Sequence, residues 1–162
     1  MYNESKAFIY EDHDLFNKNK TILIAYRAKG TNYTIPNSVT TIGESAFKGC
    51  ESLTNINIPN SVTTIGEYAF CCCDSLTNIN IPNNVTTIGE GTFCHCHSLT
   101  SINIPNGVTT IGKHAFLWCH SLTSINIPNS VTTIEDGAFQ GCENIPSHIE
   151  SDIRQRFGEE VF

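Results

Sequence analysis

The chain has 162 residues, of which 40% are hydrophobic and only 15% charged, and its formal net charge is −7. An acidic chain whose lysines and arginines lie mostly outside its repeated segment lacks the positive surface that nucleic acid or an anionic membrane would attract. No apolar run approaches the roughly 20 residues that cross a bilayer, and residues 1–6 lack the apolar core of a signal peptide. The sequence is therefore compatible with two locations: the protein stays inside the cell, or it is part of a longer exported chain.

Residues 1–34 contain no repeat and are predicted to form an N-terminal β-hairpin cap. Short strands are expected at Ala7–Tyr10, Leu15–Phe16 and Thr21–Tyr26, with turn residues at Asn17–Lys20. A solenoid needs such a cap to cover the open end of its sheet. The cations of this segment either protect that edge or bind a partner; they are Lys18, Lys20, Arg27 and Lys29.

Residues 35–144 consist of five repeats, the last incomplete, because an Ile-Pro pair recurs every 23 residues. A fixed period of this length indicates a solenoid, in which each unit buries its apolar residues only against its neighbours. Five columns of the aligned repeats are predicted to form the core. They are Val39, Val62, Val85, Val108 and Val131; Ile42, Ile65, Ile88, Ile111 and Ile134; Phe47, Phe70, Phe93, Phe116 and Phe139; Cys50, Cys73, Cys96, Cys119 and Cys142; and Leu53, Leu76, Leu99, Leu122 and Ile145.

Each repeat is expected to contain two extended segments. Leu53–Ile58 ends in the apolar–polar alternation of a strand with one buried face, and Pro59 terminates it. Val62–Ile65 is β-branched and extended, and Gly66 allows the next corner. Glu67–Phe70 is predicted to form a helical or 3₁₀ turn. Equivalent strands of successive repeats would then stack as a parallel sheet, about 4.8 Å apart.

The pattern L-x-x-I-x-I-P followed by V-T-T-I-G-x-x-A-F-x-x-C-x-S-L resembles the BspA-type leucine-rich repeat over residues 35–144. Asp14–Tyr26 is similar to the segment that commonly opens such arrays. The resemblance implies an α+β solenoid, a leucine-rich-repeat right-handed superhelix with its parallel β-sheet on the concave face. It also implies a bacterial or protist surface protein that binds other macromolecules.

The period also bears on five of the eight cysteines. Cys50, Cys73, Cys96, Cys119 and Cys142 share one core column, where a free thiol behaves as a small hydrophobe with a weak S–H donor. We therefore predict that these five cysteines are reduced core thiols.

The sheet face is one candidate binding surface. Its outward positions stack into neutral polar ladders, one of which consists of Asn57, Asn80, Asn103 and Asn126. The alternative is that these ladders only solvate the sheet, because protein hot spots favour Trp, Tyr and Arg, and none lies here.

The opposite edge of the coil varies from repeat to repeat and is the stronger candidate. It contains the chain's only tryptophan, Trp118, together with Leu117, His95, Tyr68 and His114. Apolar and aromatic side chains at predicted surface positions are typical of an interaction site.

Cys71, Cys72, Cys94 and His95 are expected in the same surface patch and support an alternative function, a metal-binding or redox-sensitive module. Thiolate and imidazole are the usual ligands of zinc, and cysteines one rung apart are near enough for a Cys71–Cys94 disulfide. The chain has no C-x-x-C pair, which argues against a standard zinc site, and no cofactor is expected.

Residues 145–162 are predicted to form a C-terminal helical cap. Ser147 and Glu150 have the spacing of a capping box. The apolar stripe of the helix consists of Ile149, Ile153 and Phe157. Val161 and Phe162 are expected to fold back against the last rung.

These features predict a single domain over residues 1–162 that is not an enzyme. No nucleophile–base pair, phosphate loop or paired carboxylates stand outside the repeat pattern, and His97 and His120, near Asp74, are expected to form a solvated stack. The predicted function is a monomeric protein-interaction or adhesion module. Its partner is expected to be a protein or a glycan, for example a host extracellular-matrix protein, and the resemblance alone implies a cell-surface or secreted location.

Overall fold

The computed structural model describes residues 8–162 and begins with three strands, β1 (Phe8–Glu11), β2 (Asp14–Asn17) and β3 (Ile22–Tyr26). β1 pairs with β2 and β2 with β3, both antiparallel, as predicted for the cap. The side chain of Asn17 closes the second turn by accepting hydrogen bonds from the backbone N–H groups of the next strand. Ala7, the predicted start of the first strand, lies outside the described residues.

Each coil of the solenoid contributes one three-residue strand and one two-residue strand. The three-residue strands are β4 (Asn32–Thr34), β6 (Asn55–Asn57), β8 (Asn78–Asn80), β10 (Ser101–Asn103) and β12 (Ser124–Asn126). The two-residue strands are β5 (Thr41–Ile42), β7 (Thr64–Ile65), β9 (Thr87–Ile88), β11 (Thr110–Ile111) and β13 (Thr133–Ile134). Every strand pair among them is parallel and in register with the copy 23 residues away, which confirms the predicted stacking.

A ladder of five phenylalanines forms the centre of the core. Each ring is fully buried, and neighbouring rings are 5.0–5.5 Å apart and within 12° of parallel. Tyr26 extends the ladder at one end and Phe162 at the other. Stacked aromatic pairs add about 0.5–1.5 kcal/mol each beyond the area they bury, so the repeats stabilise one another through this column.

The column cysteines have a specific bonding role beside the phenylalanine ladder. The thiols of Cys73, Cys96, Cys119 and Cys142 each donate to a phenylalanine carbonyl 26 residues earlier, at 3.1–3.2 Å. All eight cysteines are free, as predicted for the column. Cys50 is only half-buried and makes no such bond within residues 8–162.

The predicted turn is present between the short strand and the cysteine column, with hydrogen bonds that span three residues, but it does not have helical dihedral angles throughout. Glu67–Phe70 forms hydrogen-bonded turns and not a helix, because two residues in every coil have positive φ. We call these positions the left-handed columns. The first consists of Ser45, Tyr68, Gly91, His114 and Gly137, and the second of Gly49, Cys72, His95, Trp118 and Gly141. A residue with positive φ every four positions does not allow a helix to continue.

On the strand side of the coils, backbone hydrogen bonds are missing at one step, between β6 and β8 and between β7 and β9, while the turns of the same two coils remain bonded. The N–H groups of Thr100 and Thr109 donate to the preceding coil, but within residues 8–162 those of Thr77 and Thr86, one coil earlier, make no such bond. The opening lies in the coil where Thr92 stands in a column that is otherwise alanine. Thr92 is fully buried, but the bonds of its own turn across this step remain closed, since the Phe70 N–H donates to the Thr92 carbonyl at 2.9 Å.

The chain ends in the predicted helical cap, α1 (Ser147–Phe157), whose Ile153 is fully buried. The predicted capping box is wrong, because Ser147 is already the first helical residue and no side chain caps the helix. Glu150 pairs with Arg154 at 2.8 Å instead. The final residues fold back as predicted: Val161 is fully buried, and its carbonyl accepts from the Phe139 N–H as a further coil would.

Candidate interaction surface

The predicted edge residues occupy strained backbone. Tyr68, His95, His114 and Trp118 have φ between 55° and 60°, in the left-handed columns. A residue with a Cβ pays about 1–2 kcal/mol for this conformation, and four of the ten positions in these columns carry glycine, which does not. Strained residues of this kind cluster at functional sites, so the bulky side chains in these columns are candidates for a functional role.

Glycines in the next coil determine how these side chains lie. A methyl group at Gly91 would overlap the Tyr68 ring, and one at Gly141 would overlap the Trp118 indole. The large side chains therefore reach towards the next coil, and each ring lies directly against a glycine of that coil. This contact holds the rings in one orientation before any partner arrives.

Trp118 and three histidines form a continuous strip. The Trp118 ring lies 5.3 Å from His120, His120 stacks on His97 at 5.6 Å, and His97 meets His95 edge-on at 5.7 Å. The Nδ1 atom of His97 is 3.3 Å from Asp74 Oδ1. We call His95, His97, Trp118 and His120 the histidine–tryptophan face.

Two members of this face, His97 and His120, were not among the predicted binding residues. His97 and His120 stack on each other, as predicted. In addition, His120 contacts Trp118 and His97 contacts His95, so these two histidines connect the predicted binding residues His95 and Trp118. The 23-residue register contained the signal, because it places residues 97 and 120 two positions after residues 95 and 118 in successive coils.

Tyr68, His114 and Leu117 flank this face and are not members of it. The Tyr68 hydroxyl donates to the Glu90 carboxylate, which raises the pKa of Tyr68 to about 12, and the Lys48 ammonium lies 5.7 Å from its ring centroid. Leu117 is half-buried, and its carbonyl accepts from the His95 N–H at 2.7 Å. Tyr68 is thus already occupied by contacts within the chain.

The thiol patch differs from the prediction. Cys71 and Cys94 are 5% and 4% exposed, so they are not surface residues. They stand in one column of the repeat, with Lys48 in the preceding coil and Leu117 in the following one. Cys72 is half-buried, with its sulfur 3.5 Å from that of Cys71.

Neither the thiols nor their neighbours form a metal site. Burial raises the pKa of Cys71 and of Cys72 to about 11, so both thiols are protonated at neutral pH. No group of three or more histidine, cysteine, aspartate or glutamate side chains within residues 8–162 is arranged to hold a metal ion. The metal-binding alternative has no geometric support.

The asparagine ladder is exposed and lies on the three-residue strands, as expected. Asn57, Asn80, Asn103 and Asn126 make no side-chain hydrogen bonds within the described part of the chain. Threonines immediately before three of these strands, by contrast, donate their hydroxyls to backbone carbonyls of the preceding coil. The asparagine amides are therefore free to bond to another molecule. No contact joins them to the histidine–tryptophan face.

No helix within residues 8–162 has the length and apolar character that a membrane span needs. No curated protein is significantly similar to the chain. Several solved structures are similar to the chain. One is a leucine-rich cell surface protein from Faecalibacterium prausnitzii, which is 34% identical, with a TM-score of 0.85, over 96% of this chain and 43% of that one. A leucine-rich repeat protein from Bacteroides capillosus is 28% identical, with a TM-score of 0.67, over 76% of this chain and all of that one.

The pneumococcal vaccine antigen PcpA, at 19% identity and a TM-score of 0.68, shares the fold; it matches over 98% of this chain and 47% of its own length. The chain spans less than half the length of the first two similar structures, from F. prausnitzii and Eubacterium ventriosum. The model of the BspA-type leucine-rich repeat region matches residues 25–146 in six copies. The parallel coils, the stacked phenylalanines and this match agree, and the chain belongs to the BspA-type leucine-rich repeat family.

Proposed function

We propose that this chain is a non-catalytic interaction module that binds a partner protein through the histidine–tryptophan face. The observation that supports this most strongly is the presence of His95 and Trp118 at positions whose backbone favours glycine. The chain bears the strain at both positions, and binding by their side chains would account for it.

The chemistry of the face suits a protein partner. Trp118 is 38% exposed, among the most exposed large hydrophobic side chains of residues 8–162, and tryptophan is enriched among the residues that dominate binding energy. The imidazoles beside it offer both donors and acceptors when neutral. A preoriented aromatic anchor with polar neighbours binds without a large loss of side-chain entropy.

The asparagine ladder gives the module a second, weaker surface. Four free amides, each with donors and an acceptor, repeat along the sheet about 4.8 Å apart and can hydrogen-bond a partner's backbone or glycan hydroxyls. This surface lacks charge and aromatic residues, so we assign it to orientation of the partner and the histidine–tryptophan face to affinity.

We further propose that the module acts at a cell surface as a monomer. The similar structures include proteins described as a cell surface protein and as a vaccine antigen. A host extracellular-matrix protein would be a suitable partner for such a location, and a glycan is the alternative.

The test is binding of the purified chain to an array of host matrix proteins and glycans, followed by affinity measurement on the strongest partner. We expect Trp118→Ala to weaken binding by about 30-fold, which corresponds to the ~2 kcal/mol of a hot-spot residue. Tyr10→Ala, which removes an exposed aromatic ring from the N-terminal cap, is the matched control and should bind like the unsubstituted chain. Equal affinities for all three proteins would contradict the proposal.

A further inference from the structure

The two strand columns of the solenoid end at different places near the N-terminal cap. The cap strands β3, β2 and β1 continue the sheet of two-residue strands beyond β5, which extends it by roughly 14 Å at the usual strand spacing. The three-residue strands begin only at β4, which pairs with β6 and with no other strand of residues 8–162. One edge of β4 is therefore unpaired beside the cap.

The register shows which backbone groups lie on this unpaired edge. The Ile35 N–H donates to the Asn57 carbonyl of β6. The N–H and C=O groups of alternate residues point to the same neighbouring strand, so those of Asn32 and Thr34 point away from β6. None of these four groups bonds to the cap or to a loop of residues 8–162. Asn32 and Thr34 are both exposed, so another molecule can reach their two donors and two acceptors.

A cavity of about 580 Å³ lies along this edge, within the range of about 300–1,000 Å³ that is typical of ligand sites. Strand β4 lines it together with the apolar side chains of Phe16 and Tyr26. Gly30 also lies in the wall, at the position where later coils carry a core leucine, so no side chain fills the space there. A strand added to β4 would place one inward side chain beside Tyr33, where this space can accept it.

The charge of the cavity wall indicates the chemistry of the added strand. Glu11 and Asp12 are exposed acidic residues of the wall, and Lys20 pairs with Glu11 at 2.6 Å. The Asp12 carboxylate thus gives the entrance an excess of negative charge, which attracts a basic segment. A second copy of this chain fits less well, because its own strand with an unpaired edge at this end, β1, carries Glu11 and no cation.

We propose that the unpaired edge of β4 binds an extended, basic segment of a partner protein as an added strand. The backbone of that segment bonds to Asn32 and Thr34, an apolar side chain enters the cavity, and a lysine or arginine lies near Asp12. In strand addition of this kind, main-chain hydrogen bonds give affinity and side-chain pockets give specificity. The site is separate from the histidine–tryptophan face and does not depend on the function proposed for it.

The test is an NMR titration of the whole chain with the peptide acetyl-Lys-Thr-Val-Thr-Lys-amide. We expect shifts and slower hydrogen exchange of the Asn32 and Thr34 amides, and an unshifted Trp118 indole signal. The same peptide with its three central amide nitrogens methylated keeps its side chains but loses these donors, and should bind at least tenfold more weakly. The peptide with glutamate in place of both lysines should also bind at least tenfold more weakly.

Thr34→Pro removes one unpaired N–H group and leaves the bonds to β6 in place, and an edge strand tolerates proline at such a position. We expect it to weaken the lysine peptide about tenfold. Thr34→Val keeps the N–H group and the β-branched shape, so it is the matched control and should bind like the unsubstituted chain.

Equal binding of any two of the three peptides that includes the lysine peptide, no binding at all, or full binding by Thr34→Pro would overturn the proposal. So would slow exchange of the Asn32 and Thr34 amides before peptide is added. Slow exchange at every protein concentration would show that the chain covers its own edge, and slowing that grows with concentration would show that a second copy covers it. If Thr34→Pro does not fold, the comparison of peptides on the unsubstituted chain decides the matter.

Discussion

Replacing His95 by glycine and, separately, by alanine measures the backbone strain under the histidine–tryptophan face. Both substitutions remove the imidazole and its contact with His97, so the difference between them isolates the backbone. With φ at 57°, alanine keeps the strain and glycine relieves it.

The magnitude follows from two opposing quantities. Glycine in place of alanine removes the strain of the left-handed conformation, which stabilises the folded chain by about 1–2 kcal/mol. Glycine also loses more conformational freedom on folding than alanine, which destabilises the folded chain by roughly 0.5–1 kcal/mol. The glycine variant should thus be more stable than the alanine variant by about 0.5–1 kcal/mol. For a chain of this size that difference raises the melting temperature by roughly 1–4 °C.

Urea and thermal unfolding of the two variants provide the assay, with Lys113 as the matched control. Lys113 is exposed and does not have positive φ, so there the order should reverse and alanine should be the more stable. If alanine equals or exceeds glycine in stability at residue 95, the strain at this position is not real. The functional argument from strain would then fail.

Three further predictions concern the core, the cap and the open step. Phe93→Ala, at the centre of the stacked ladder, should cost about 3–5 kcal/mol in urea unfolding, and a loss below ~1 kcal/mol would contradict the stacked core. Burial raises the pKa of Asp14 above 3.8, so its folded form holds the proton more tightly than the unfolded chain and stability is lost as pH rises through that pKa. Asp14→Asn should therefore gain stability relative to the unsubstituted chain between pH 4 and pH 7, and an unchanged difference would refute this. The Thr77 and Thr86 amides, which make no bond to the preceding coil, should exchange with solvent faster than the Thr100 and Thr109 amides; equal protection of the two pairs would show that the step is closed.

The repeat architecture could be predicted from the sequence because its determinants are periodic. The Phe70 column is apolar in every copy, and a column repeated at a fixed period must stack on itself if the units are alike. The bonding partner of each thiol, such as the Phe70 carbonyl for Cys96, needed coordinates, because it depends on the path of the turn.

The candidate site was only partly predictable for the same reason. Trp118 and His95 were predicted from variation at the edge, but residue types do not reveal φ, so the left-handed columns were missed. The glycines of those columns, such as Gly141, were the available sign. Burial of Cys71 was also missed, since a residue in a variable column is not necessarily exposed.

The affinity of the His95→Gly and Trp118→Gly double variant for the captured partner tests the function of the face most directly. Both substitutions relieve strained backbone while removing the side chains, so the variant should be folded and no less stable apart from the lost contacts with Gly141, His97 and His120. We expect a folded protein whose binding falls by about 30-fold or more. A folded double variant that binds its partner with unaltered affinity would show that the histidine–tryptophan face is not the binding surface.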